Sequence, residues 1–171
     1  MRKRILRDQN GITLVEIIIV IAMIGILAST SVMLIGHLHY ADTQKVVQTL
    51  DSSLDALQVK TMSKTGKYYM YVYRIDNSYY MQILPDDISG FDASKLTKDG
   101  TRLCNSTITI YGRSGGASSE VTDQSYVIKV AYTKSALFDS TSTNVDEIYI
   151  DGVPDYTLKL VADTGKHFVN E

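Results

Sequence analysis

Residues Ile12–Gly36 read ITLVEIIIVIAMIGILASTSVMLIG, and Glu16 is the only charged residue among them. The uncharged run Ile17–Gly36 is twenty residues. As a helix at ~1.5 Å per residue it reaches about the thickness of a bilayer's hydrocarbon core. Arg2, Lys3, Arg4 and Arg7 precede it, and no Lys or Arg follows before Lys45. That asymmetry predicts a cytoplasmic N-terminus and an exported remainder. A cleaved secretory signal has an apolar region of roughly 7–15 residues ending at a small-residue site. Here the run is longer and Ala28-Ser29-Thr30 lies well inside it, so a retained anchor is expected.

Around this segment the chain is ordinary in bulk. It has 171 residues, 44% hydrophobic and 21% charged, which suits one or at most two domains. Seventeen Lys and Arg against nineteen Asp and Glu leave a formal charge of −2, so a nucleic-acid partner held by bulk charge is not expected. Cys104 is the only cysteine, which excludes an internal disulfide framework and a CxxC zinc site.

Glu16 is the anomaly of the apolar segment. A carboxylate at mid-bilayer costs about 2–3 kcal/mol on insertion scales and less near the interface. Two readings stand side by side. Glu16 sits one turn from the membrane surface and reaches water, or it awaits a cation inside an assembly.

Gly11-Ile12-Thr13-Leu14-Val15-Glu16, after a short basic leader and before a long apolar helix, resembles the type III signal of type IV pilins and pseudopilins. The likeness continues through Ala22, Gly25, Ile26, Leu27 and Ala28, similar to the family's A-x-x-G-I-L-A run. The resemblance implies that a prepilin peptidase cuts between Gly11 and Ile12 and methylates the new amine of Ile12. It also implies that this amine pairs with Glu16 of a neighbouring subunit during filament assembly, driven indirectly by an assembly ATPase and a membrane platform. Two positions depart from the family pattern. Ile12 stands where the first mature residue is usually Phe, and Met33 stands where many members carry a helix-kinking Pro.

Beyond Gly36, Val47, Leu50, Leu54, Leu57 and Thr61 recur at helical spacing while Asp42, Lys45, Asp51, Asp55 and Lys64 fill other faces. With no Pro or Gly between Tyr40 and Gly66, this amphipathic helix is expected to continue the apolar one. From Lys67 the period becomes two. Lys67–Arg74 and Ser78–Leu84 read as a hairpin, with Met70, Val72, Met81 and Ile83 toward the helix. Tyr68, Tyr69, Tyr71, Tyr73, Tyr79 and Tyr80 in that hairpin are expected to pack across strands with their hydroxyls in water, or to form a sticky outer surface. Residues 85–105 read as a polar loop and Gly112–Gln124 as a flexible hairpin tip. Further strands are expected at residues 106–111, 125–133, 147–150, 156–161 and 166–169.

The organisation expected is α+β and pilin-like. It comprises a cleaved leader at 1–11, a transmembrane and assembly helix at 12–36, its amphipathic continuation at 37–66 and an exported β-rich domain at 67–171. No catalytic motif is present, no cofactor is implied, and His37, His39 and His167 lack the spacing of a metal site. The expected function is that of a structural subunit of a type IV pilus or pilus-like filament. The expected partners are the prepilin peptidase and other pilin subunits. The alternatives are a pseudopilin of a secretion or DNA-uptake apparatus, and an anchored extracellular binding module that never polymerises.

Overall fold

The computed structural model describes residues 13–105 and 107–171, without the side chains of residues 30–38. One helix, α1 (Leu14–Ser63), is followed by nine strands. The chain divides within α1 into two compact units, Met1–Leu38 and His39–Glu171. The architecture is α+β, as the residue pattern predicted, and the two expected helices are one element.

In the second unit the helix carries the predicted stripe. Val46, Leu50, Leu54 and Leu57 are fully buried and Val47 is nearly so. Each such side chain contributes about 1.5–3 kcal/mol by leaving water. The helix ends at Ser63, three residues short of the end of the 37–66 stretch expected for it. The Lys134 ammonium supplies the stop by donating to the Thr61 carbonyl at 2.5 Å and to the Lys64 carbonyl. A cation there satisfies carbonyls that have no partner within the helix and opposes the negative end of its dipole.

Two antiparallel sheets receive that stripe. The first has the order β3 (Thr101–Asn105), β2 (Ser78–Leu84), β1 (Tyr69–Ile75), β6 (Ile128–Ala131). The second has the order β5 (Ala117–Glu120), β4 (Thr109–Ser114), β7 (Glu147–Asp151), β8 (Tyr156–Val161), β9 (Lys166–Asn170). Met70, Val72, Met81, Ile128 and Val130 from the first sheet join Ile110, Ile148, Ile150, Leu158 and Leu160 from the second in one core with the helix stripe. Ile83 is only half-buried at its margin.

The β1–β2 hairpin forms as expected, with Val72 opposite Met81 and Tyr73 opposite Tyr80. Its turn is Asp76-Asn77, both at positive φ (47° and 62°), the pair of left-handed residues that matches the twist of a tight hairpin. Tyr73 and Tyr80 pack across the strands as expected, with ring centroids 6.0 Å apart, but the rest of the tyrosine reading needs correction. Tyr69, Tyr71, Tyr73 and Tyr80 do share a face, but that face is a second core, closed by Ile88, Leu96 and Phe91 from the loop between β2 and β3. Backbone groups of that loop take the Tyr71 and Tyr73 hydroxyls. Tyr71 donates to the Asp86 carbonyl at 2.9 Å and accepts from the Ile88 N–H at 2.8 Å. Tyr73 donates to the Thr97 carbonyl at 2.6 Å. Burial pushes both phenols up to about 12, against the opposing pull of the Ile88 N–H on Tyr71.

Two segments expected as loop are strands. Thr101–Asn105 pairs with β2 as β3, and Ala117–Glu120 pairs with β4 through a Gly115-Gly116 turn at φ 57° and 86°. The strand expected at residues 106–111 lies three residues further on, at Thr109–Ser114. Strands β7, β8 and β9 fall within a residue of the predicted bounds.

Candidate assembly segment

The first turn of α1 is built by a reciprocal side-chain arrangement. Thr13 precedes the helix, and its Oγ1 accepts from the Glu16 N–H at 3.3 Å. In return the Glu16 carboxylate Oε2 accepts from the Thr13 N–H at 3.0 Å and from the Thr13 hydroxyl at 3.2 Å. This is a capping box, in which an N-cap Thr and an acid three residues on satisfy each other's backbone donors. Such caps contribute about 1 kcal/mol, and a carboxylate in the first turn also meets the positive end of the helix dipole. Glu16 therefore has a local role that sequence reasoning missed. The signal was present as Thr13-x-x-Glu16 immediately before the apolar run.

Past the cap, Leu14 to Leu27 expose large apolar side chains on every side of the helix, from 49% at Ile17 and Ile19 to 76% at Leu14. A helix apolar all round is one that buries itself in a membrane or in other helices, and a contiguous exposed apolar surface marks an interaction site. Among the described residues no helix is long and apolar enough to cross a membrane. The described side chains of the apolar stretch stop at Ser29, short of the Gly36 that ends the run counted in sequence.

Gly11 and Ile12, the expected cleavage site, and the leader itself lie outside the described residues. Glu16 forms no ion pair among the described residues. Elsewhere, His167 is brought by β9 against the helix. Its Nε2 is 3.1 Å from the Asp51 carboxylate and 3.7 Å from that of Asp55, and Nδ1 is 3.5 Å from the Tyr132 hydroxyl. Among the described residues no group of three His, Cys, Asp or Glu is arranged to hold a metal ion. Cys104 is half-buried against the main core, and burial pushes its thiol up to about 12, so it packs as a small hydrophobe.

No curated protein and no solved structure matches the chain. Residues 6–32 match the prokaryotic N-terminal methylation motif. That stretch contains Gly11, Ile12, the Thr13–Glu16 cap and the exposed apolar turns. The N-terminal segment of this protein is thus a prepilin signal of the type IV pilin and pseudopilin kind.

Proposed function

We propose that this protein is a structural subunit of a type IV pilus or pilus-like filament, anchored by its apolar helix with the N-terminus cytoplasmic and residues 67–171 exported. The prepilin peptidase cuts between Gly11 and Ile12 and methylates the Ile12 amine. An assembly ATPase and membrane platform then draw subunits into a filament whose core is a bundle of apolar helices. The observation that carries this reading is the match of residues 6–32 to the methylation motif. The all-round exposure of Leu14–Leu27 supports it, because such a surface needs lipid before assembly and other helices after it. The subunit is non-catalytic in this reading.

Glu16 has a second task in the assembled state. A neighbour's Ile12 amine placed against it neutralises both charges in apolar surroundings, where either alone is costly. Gly11→Ala and Glu16→Ala, expressed in cells with an active prepilin peptidase, separate the steps. Gly11→Ala is expected to leave the chain uncut. Glu16→Ala is expected to be cut normally and to enter filaments poorly. A Glu16→Ala chain that assembles at the normal level would exclude charge pairing.

A further inference from the structure

The turn that joins β7 to β8 is pinned to the helix of the second unit. The Val153 N–H donates to the Thr43 hydroxyl oxygen at 3.1 Å, and that hydroxyl donates in turn to the His39 carbonyl at 3.0 Å. Gly152 makes the approach possible, because a Cβ there would stand 2.5 Å from Thr43 Oγ1 and 2.7 Å from its Cγ2. Asp155 holds the other side of the turn, accepting from the Gly152 N–H at 3.2 Å and from the Tyr149 hydroxyl at 2.8 Å. The tip of this fixed turn is nevertheless apolar and bare. Val153 is 55% exposed, and Tyr40, three residues before Thr43 on the helix, is 43% exposed.

Position along the chain says what the tip meets. The apolar run ends at Gly36, and Tyr40 and Thr43 follow soon after it. A helical rise of ~1.5 Å per residue keeps Tyr40 within about 6 Å, and Thr43 within about 11 Å, of the end of that run. The headgroup layer of one leaflet is roughly 5–7 Å thick. Tyr40 therefore falls in the layer that favours tyrosine, and Thr43, which holds Val153, stands just above it. Charge narrows the choice of lipid. Three exposed acids, Asp42, Asp151 and Asp155, outnumber the one exposed base, Lys45, within residues 39–45 and 151–155. An anionic surface repels such a group for the same reason that it attracts basic segments, whereas a zwitterionic headgroup offers it an ammonium.

We propose that in the anchored subunit the Val153 tip and Tyr40 rest on zwitterionic lipid headgroups, giving the second unit a foot on the bilayer beside its own helix. The inference rests on the reading that the apolar run ending at Gly36 spans the membrane. It goes beyond that reading by assigning a lipid contact to a turn 110 residues further along the chain than Thr43. Thr43 and Gly152 act through Val153, as positioning residues. Extraction of the subunit into a filament has to break this contact.

The chain contains no Trp, so Val153→Trp in the full chain gives a single-site fluorescence probe. Val59→Trp is the reference, since Val59 is also exposed, at 63%, and lies roughly 35 Å of helix past Gly36. Both variants are reconstituted into phosphatidylcholine vesicles carrying bromine on the acyl chains near the headgroup. Emission from Val153→Trp is expected to fall about twofold against unbrominated vesicles, as for a side chain at the headgroup boundary. Val59→Trp is expected to ignore bromine and to stay open to aqueous iodide. Adding Thr43→Val removes the hold on the turn without changing the probe, and is expected to reduce the bromine quench at position 153. Replacing half of the lipid by an anionic one is expected to reduce it too. Iodide quenching at 153 equal to that at 59, with no bromine quench, would overturn the contact. A quench undiminished by Thr43→Val would overturn the positioning, because the indole then finds lipid by itself. A quench undiminished on anionic vesicles would overturn the choice of headgroup. All three leave the anchored reading intact, whereas a chain that fails to float with the vesicles would overturn the reading on which the inference rests.

Discussion

Thr13 and Glu16 cap each other: the Thr13 N–H donates to the Glu16 carboxylate at 3.0 Å while the Glu16 N–H donates to the Thr13 hydroxyl at 3.3 Å. Removing the Thr13 hydroxyl takes away one acceptor and one donor of the box. Thr13→Val should cost the first turn about 1 kcal/mol. Amide exchange at Glu16 and Ile17 in the full chain should then be roughly fivefold faster at that cost. Thr13→Ser should restore the wild-type rate. Unchanged exchange in Thr13→Val would show that the box contributes nothing to the helix start.

Acid should weaken the second unit through one ion pair. Asp139 is buried and accepts from the Lys67 ammonium, from the Thr141 N–H at 3.1 Å and from the Thr141 hydroxyl at 2.7 Å. Burial alone would raise its carboxyl, but these donors, with Ser142, outweigh it and hold the group well below the usual carboxylate range. Because the folded value is depressed, the stabilisation is fully present above the unfolded value of about 3.9 and is lost as pH falls below it. Thermal melts from pH 6 to pH 2 should show Asp139→Asn less stable than wild type at pH 6, with the gap narrowing below about pH 4. A constant gap would contradict the assignment.

The loop over the tyrosine face should depend on a single hydroxyl. Tyr71→Phe strands the Ile88 N–H in a buried position and removes the donor to the Asp86 carbonyl, a loss of about 1–3 kcal/mol. Tyr149→Phe removes only an exposed bond to Asp155 and should fall within about 0.5 kcal/mol of wild type. Urea denaturation of the two variants tests the contrast, and equal losses would contradict a closed second core.

Gly165, in the β8–β9 turn, should be far less replaceable than Gly116, in the β4–β5 turn. A Cβ there would stand 1.8 Å from the Ala136 carbonyl oxygen, and the backbone is at φ +64°. Gly116 is also left-handed, at φ +86°, but nothing lies within 4 Å of its Cβ position. Gly165→Ala should destabilise by more than about 2 kcal/mol, since overpacking adds to backbone strain. Gly116→Ala should cost only about 1 kcal/mol. Comparable thermal shifts for the two would contradict the close approach seen at Gly165.

Where periodicity was strong, the residues predicted the fold. Val47, Leu50, Leu54 and Leu57 repeat at helical spacing and lie on the core, and Met70, Val72 and Met81 alternate onto the same core from β1 and β2. The misses have a common cause. Thr101–Asn105 has only Leu103 buried and Ala117–Glu120 has no buried residue, so neither edge strand carries a hydrophobic pattern to read. The tyrosine face fails differently. The residue pattern grouped six tyrosines in the hairpin without assigning them to a face, and only the tertiary path of Ile88, Phe91 and Leu96 shows that Tyr69, Tyr71, Tyr73 and Tyr80 lie on a covered side. At the assembly segment the composition and spacing around Gly11 and Glu16 were legible. The Thr13 cap is legible too, as Thr13-x-x-Glu16, but a carboxylate beside an apolar run reads first as a charge near a membrane.

The central claim, that this chain is processed as a prepilin, is tested most directly by the intact mass and N-terminal residue of the protein taken from its own membranes. The account predicts a chain that begins at Ile12 and carries one added methyl group. A chain that still begins at Met1, in cells whose prepilin peptidase is active, would contradict it.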